Sequence, residues 1–214
     1  MELATSNPAP SPVPRRTAAL ALTASVTALI ATAPSTGSAA DRYELDEPTQ
    51  TALSRLDNYR PTATQRQFHE LQMMHAIRNA ASNPRYPFGA VIVDNSGRLM
   101  AEGVNNSSAH PGYHGEVVAI NAYIERYGNT DWSNTTLYTT GEPCAMCISM
   151  IAWAKIPRVV WASSVETIRK SGVGQIAISA TELAARAHEI YQPEYLLGGV
   201  GAEIMDIIFQ TRPR

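Results

Sequence analysis

Four residues of this 214-residue chain have the types and spacing for metal-assisted hydrolysis: His114, Glu116, Cys144 and Cys147. Cys144 and Cys147 are the only two cysteines. Lying three residues apart, they cannot cross-link distant parts of a fold, so they form either half of a metal site or a redox pair. Two thiolates and one imidazole make three ligands. Zinc prefers four, and a catalytic zinc leaves the fourth position to water, lowering its pKa to about 7. A carboxylate beside that water can carry a proton to a leaving group. Glu116 can do so only if His114 stands at a helix end, because residues i and i+2 diverge by about 200° on a helical face.

Two other readings compete. A lone Cys-x-x-Cys at a helix start is also the layout of thiol redox motifs. A structural zinc would instead need a fourth protein ligand, drawn from His69, His75, His110 or His188. The first, second and fourth of these lie in helical stretches, whereas His110 lies in the loop beside the site. An intact Glu116 speaks for catalysis, since a purely structural zinc needs no proton shuttle.

The elements that must position these residues follow from periodicity. Phe68, Leu71, Met74, Ile77 and Ala81 recur with helical spacing over Thr62–Ala81, and Asn83-Pro84 stops that helix. Phe88–Val93 and Leu99–Val104 flank the turn Asp94-Asn95-Ser96-Gly97 and read as a hairpin. A polar loop, Asn105–Tyr113, leads to a helix over His114–Arg126 that Gly128-Asn129 ends. Thr136–Thr139 is a short strand. Pro143 sits at the first turn of a helix running to Ala154, and Pro157 precedes the strand Arg158–Ala162. Ser163–Ile178 carries no clear period. Thr181–Ile190 is helical with Thr181 as its cap, Tyr195–Leu197 is a strand, and a last helix spans about Ala202–Gln210. Helices alternating with strands after an opening hairpin imply an α/β layered domain with a mixed sheet.

The N-terminus has a different composition. Met1–Pro14 is rich in Pro, Ala and Ser, Arg15-Arg16 form a positive pair, and Thr17–Ala40 carries no charge. Small residues, Ser38-Ala39-Ala40, precede Asp41. This is the layout of a signal peptide over residues 1–40, followed by a polar arm at 41–61 and one domain at 62–214. A membrane anchor is the alternative, but a span needs about 20 apolar residues and Thr23, Ser25 and Thr27 interrupt this run. The paired arginines suggest the twin-arginine route, which carries folded proteins and would let a thiolate metal site assemble before export. The expected location is therefore periplasmic or secreted, with no stable membrane span, or cytoplasmic if the segment is not a working signal. The formal net charge is −2 at pH 7. Without the basic excess on which nucleic-acid binders rely, the charge argues against a large nucleic-acid partner and permits a small-molecule substrate.

From about Thr64 to Phe209 the chain resembles the cytidine-deaminase-like superfamily, in the branch holding guanine deaminase, cytosine deaminase and bacterial tRNA adenosine deaminase. The matching pieces are Pro87-Phe88-Gly89-Ala90-Val91-Ile92-Val93, Gly103-Val104-Asn105-Asn106, His114-Gly115-Glu116, Glu142-Pro143-Cys144-Ala145-Met146-Cys147, Ala152-Trp153-Ala154 and Arg158-Val159-Val160-Trp161. His-x-Glu…Pro-Cys-x-x-Cys is the signature of zinc deaminases. The resemblance implies a three-layer α/β/α fold with a central mixed five-stranded sheet. It implies Zn2+ held by His114, Cys144 and Cys147, with Glu116 as proton shuttle. It implies that Asn105 and the Gly115 N–H bind the substrate ring, that Phe88 and Trp153 line or stack on it, and that the protein is a homodimer.

The implied reaction is hydrolytic release of ammonia from an amino-substituted nucleobase or nucleoside, with a guanine-deaminase-like substrate favoured. A tRNA wobble-adenosine deaminase is the alternative, suggested by Gly198-Gly199 before the last helix. A zinc-stabilised binding protein without catalysis is the alternative from another class. The chain departs from the family where the ring would be read. Gly115 replaces the usual Ala, and the loop before His114 is shorter than in guanine deaminases. Ser163-Ser164-Val165 stands where those enzymes place an acid, leaving Glu166 as the nearest one.

Overall fold

The computed structural model describes residues 44–214, so the signal peptide expected at 1–40 lies outside the described residues. Besides a 3-10 turn at Trp132–Asn134, seven α-helices and five β-strands are described. They are α1 (Glu47–Asp57), α2 (Ala63–Ala80), β1 (Gly89–Asp94), β2 (Leu99–Val104), α3 (Gly115–Tyr127), β3 (Thr135–Gly141), α4 (Ala145–Ala154), β4 (Arg158–Ser163), α5 (Val165–Lys170), α6 (Ala180–Arg186), β5 (Tyr195–Leu197) and α7 (Ala202–Thr211). Among the described residues no helix is long and apolar enough to cross a membrane.

The strands form one mixed sheet in the order β2-β1-β3-β4-β5. β1 runs antiparallel to both β2 and β3, whereas β3, β4 and β5 are parallel. Parallel neighbours need a crossover, and α4 and then α5 with α6 supply them. Every residue of β1 and β3 is buried, because helices cover both faces of the sheet. Ala90, Ile92, Leu137, Val159 and Trp161 face Ile120 of α3, Ile148 and Ile151 of α4 and Ala184 of α6. Val91, Val93, Tyr138, Val160 and Ala162 face Met73 and Ile77 of α2, Ile168 of α5, and Met205 and Phe209 of α7. This is the expected three-layer α/β/α arrangement.

Three segments depart from the reading of the sequence alone. The polar arm at 41–61 carries α1. Asp46 caps it, accepting the Thr49 N–H at 2.9 Å, and Leu56 is only 3 % exposed within the core. Arg55 Nη1 donates to the Pro193 carbonyl at 2.9 Å, and Tyr59 stacks on Tyr195 at 4.3 Å between ring centroids. A short helix with one buried leucine leaves too little apolar periodicity to be read. The segment Ser163–Ile178, without a clear period, contains α5 as a six-residue helix capped by Ser164. The cap of α6 is Ser179, whose side chain accepts the Glu182 N–H at 3.0 Å, rather than Thr181, and α6 ends at Arg186 instead of reaching Ile190.

Candidate metal and catalytic centre

The register brings the carboxyl ends of the parallel strands to one edge of the sheet. Gly141 of β3 lies beside Ser163 of β4, while the start of β1 and the end of β2 reach the same edge through Ala90–Thr139 and Gly89–Val104. Ligand sites of open α/β sheets form outside such carboxyl ends, and α3 and α4 begin here. Gly103 lets α3 seat directly on β2, since a Cβ there would run into the Gly115 carbonyl and the Ala119 amide.

His114 is the N-cap of α3, with extended backbone at φ −73° and ψ 158°, and its side chain makes no capping bond. It therefore stands at the helix end, as pairing with Glu116 two residues on requires. Cys144 is the N-cap of α4 in nearly the same conformation, φ −63° and ψ 169°, again without a capping bond. Cys147 lies in the first turn of α4 and is buried. The three side chains converge. Cys144 Sγ is 3.5 Å from His114 Nδ1, Cys147 Sγ is 3.6 Å from the same nitrogen, and the two sulfurs are 3.6 Å apart.

These distances test whether zinc fits. Bond lengths of about 2.3 Å to sulfur and about 2.05 Å to nitrogen, at tetrahedral angles, place ligand atoms about 3.8 Å apart for S···S and about 3.6 Å for S···N. The observed triangle matches within about 0.2 Å, so the donor set and its spacing suit a tetrahedral zinc with one position left open. Among the described residues this is the one group of three or more His, Cys, Asp or Glu side chains close enough to hold a metal ion. His69 is committed to the Tyr138 hydroxyl at 2.7 Å, His75 to Arg78 and His188 to the Ala185 carbonyl. His110 Nδ1 accepts the Gly112 N–H at 3.0 Å.

The electrostatics are those of a partly buried cluster of titratable groups. The Cys147 thiol hydrogen-bonds Cys144 and, with His114 on its other side, holds the Cys144 thiol down at about 4. Cys147 shifts the opposite way, well above the usual thiol range, because it bonds that thiolate and is buried. Contact with the Cys144 sulfur raises His114. Glu116 is 3 % exposed. Burial first, and the negative Cys144 second, push its carboxyl up to about 7. A carboxyl poised there can both accept and donate a proton near neutrality.

The expected ring-binding residues fall into two groups. Asn105 is buried at the end of β2; its N–H donates to the Phe88 carbonyl at 2.9 Å, and its Nδ2 donates to Ser107 Oγ at 3.2 Å. Gly115 packs against that same carbonyl, since a Cβ on it would lie 2.9 Å from the Phe88 oxygen. The Phe88 backbone thus joins Asn105 and Gly115. Its half-buried ring packs toward α7, 4.9 Å from the Phe209 ring. Trp153 does not join the centre within one chain. It is 73 % exposed near the end of α4, six residues beyond Cys147, hence about 9 Å along the axis and about 240° around it. Glu166 is exposed and pairs with Lys170 at 2.6 Å. Glu142 went unnoticed in the sequence except as a motif neighbour, yet its buried carboxylate accepts two backbone N–H groups, from Val165 and Ala180.

Comparison with known proteins agrees with this geometry. Residues 63–163 match the family model described as the cytidine and deoxycytidylate deaminase zinc-binding region. A tRNA-specific adenosine deaminase of Streptococcus pyogenes serotype M1 is 31 % identical over 143 residues, covering 64 % of this chain and 81 % of that protein. A guanine deaminase of Bacillus subtilis is 43 % identical over 79 residues, which is 36 % of this chain and 50 % of the relative. A tRNA-specific adenosine deaminase of Haemophilus influenzae is 34 % identical over 103 residues, 46 % of this chain and 60 % of the relative. The chain thus spans about half to three-fifths of the length of the last two. The fold is similar to that of a solved guanine deaminase from Nitrosomonas europaea, with a TM-score of 0.56 at 18 % identity over 74 % of this chain and 90 % of that one.

Proposed function

Because the chain belongs to the cytidine and deoxycytidylate deaminase zinc-binding family, we propose that it is a zinc-dependent hydrolase releasing ammonia from an amino-substituted nucleobase or nucleoside. The observation that carries the proposal is the tetrahedrally spaced His114–Cys144–Cys147 triangle with a buried carboxyl, Glu116, poised near neutrality beside it. Zinc, when bound by those three residues, would supply a Lewis acid and an activated water. Glu116 would take a proton at its carboxylate and return it to the departing nitrogen. Asn105, in its buried place at the end of β2, would orient the ring through its amide, with the Gly115 N–H beside it.

Among substrates, guanine or a related amino-purine is the favoured reading, supported by the 43 % identity over 79 residues to a guanine deaminase. A second reading, a tRNA adenosine deaminase, is favoured by the longer match to the Streptococcus protein. The formal charge of −2 weighs against it, because tRNA binding draws on a basic surface. The deciding experiment is an ammonia-release assay of the zinc-loaded protein against guanine, adenine, cytosine, their nucleosides and an anticodon stem-loop, with a chelator control. Release from none of them would refute the deaminase assignment. A homodimer and export through residues 1–40 complete the proposal. The exposed Trp153 and Met146 of α4 are surfaces that self-association would cover.

A further inference from the structure

Glu142 is a buried carboxylate that the proposed chemistry does not use. It is 8 % exposed and lies two residues before Cys144. Its backbone N–H donates to the Ser163 carbonyl at 2.7 Å. Its Oε2 accepts the N–H of Val165, the first residue of α5, at 2.8 Å, and its Oε1 accepts the N–H of Ala180, the first residue of α6, at 2.7 Å. One side chain thus ties the segment bearing Cys144 to the starts of two helices.

The two cysteines differ in what holds them. Cys147 is inside α4 and buried in the core, so helix packing sets the direction of its sulfur. Cys144 precedes the first residue of α4, is half-buried and makes no capping bond. The short segment 141–144 must therefore set its Sγ. Gly141 is fixed in the β3–β4 ladder, Pro143 has a locked φ, and Glu142 is fastened at three points between them.

We propose that Glu142 is the positioning residue for Cys144: by clamping Val165 and Ala180 it fixes the Cys144 sulfur at metal-binding distance and couples the α5–α6 segment to occupancy of the metal site. This rests on reading His114, Cys144 and Cys147 as the metal ligands. Groups that orient metal ligands from outside the coordination sphere contribute about 10–100-fold to metal affinity or activity. A buried carboxylate serving only the fold would contribute to stability alone.

The test compares Glu142→Gln with Ser163→Ala. Gln keeps the shape but turns an NH2 toward one of the two backbone N–H groups, so one bond is lost. Ser163→Ala removes a different, part-buried bond at the same edge, from Ser163 Oγ to Asp206 Oδ1 at 2.5 Å. Zinc affinity is read by competition with a chromophoric chelator, and ligand geometry by the thiolate-to-cobalt charge-transfer band of the cobalt-substituted protein. The expected result is that Glu142→Gln weakens zinc binding about 10–100-fold and shifts the cobalt band, while Ser163→Ala lowers Tm without doing either. Wild-type zinc affinity in Glu142→Gln, or an equal loss in Ser163→Ala, would overturn the proposal. If the Gln variant does not fold, the wild type decides: zinc loading should slow hydrogen exchange at the Val165 and Ala180 amides, and unchanged exchange there refutes the coupling. None of these measurements uses a substrate. A protein that binds zinc in this way yet releases no ammonia would sink the deaminase reading and leave this one standing.

Discussion

Replacing Glu116 by Gln separates proton transfer from metal binding. Glu116 is not one of the three converging ligand atoms, and Gln fills the same volume, so the variant should keep its zinc and its fold. What it loses is the ability to carry a proton. A positioned acid–base group is worth about 10²–10⁴-fold in rate, or about 2.7–5.5 kcal/mol of barrier. Turnover should fall by at least the lower figure on whichever base the wild type deaminates. The same substitution has an independent signature in the metal-free protein. The Glu116 carboxyl is raised from 4.5 to about 7, chiefly by burial, so between those values the native state holds a proton that the unfolded chain has released. The stability this gives is full below about pH 4.5 and is lost as pH rises to about 7, amounting to roughly 3 kcal/mol at one pKa unit per 1.36 kcal/mol. Gln cannot titrate. The variant should therefore gain on the wild type by about that amount between pH 4.5 and pH 8, read by denaturant titration of both proteins at each pH. A zinc-loaded variant turning over within tenfold of wild type, or a stability difference flat with pH, would refute the reasoning.

Three further outcomes are expected. Gly115→Ala restores the family's usual residue but places a Cβ 2.9 Å from the Phe88 oxygen that Asn105 N–H also uses. It should destabilise by about 1–3 kcal/mol and raise KM more than it lowers kcat, as thermal melts and steady-state kinetics would show. Leu56→Ala, in the polar lead-in, should cost about 2–5 kcal/mol because the side chain is in the core; a loss below about 0.5 kcal/mol would mean that α1 does not belong to the folded unit. Replacing Arg15 and Arg16 by Lys should block export of a reporter carrying residues 1–41 if the twin-arginine route is used, and unchanged export would remove that route.

The candidate site was legible in the sequence because it is written in residue types and short spacings. A Cys-x-x-Cys pair and a His-x-Glu pair mark four candidate residues, of which His114, Cys144 and Cys147 converge, and the geometric condition that His114 stand at a helix end is met by its place as the α3 cap. The hairpin, β4 and β5 were legible as apolar runs bounded by turn residues, and α7 as an amphipathic helix; α2 was legible as a helix, but of the stripe read there Leu71 and Met74 are exposed, and the face that packs on the sheet is Met73, Ala76, Ile77 and Ala80. Tertiary structure decided what depends on partners far along the chain. The role of Glu142 is set by amides 23 and 38 residues downstream, which no local pattern announces. The lead-in helix α1 is held by β5, α6 and the Pro193 carbonyl, so its own sequence looks like a polar arm. Trp153, Phe88 and Gly115 show the same limit. Composition marks the two aromatics as large and apolar, but only packing turns Phe88 toward Phe209, leaves Trp153 on the surface and seats Gly115 against a carbonyl where a methyl group has no room.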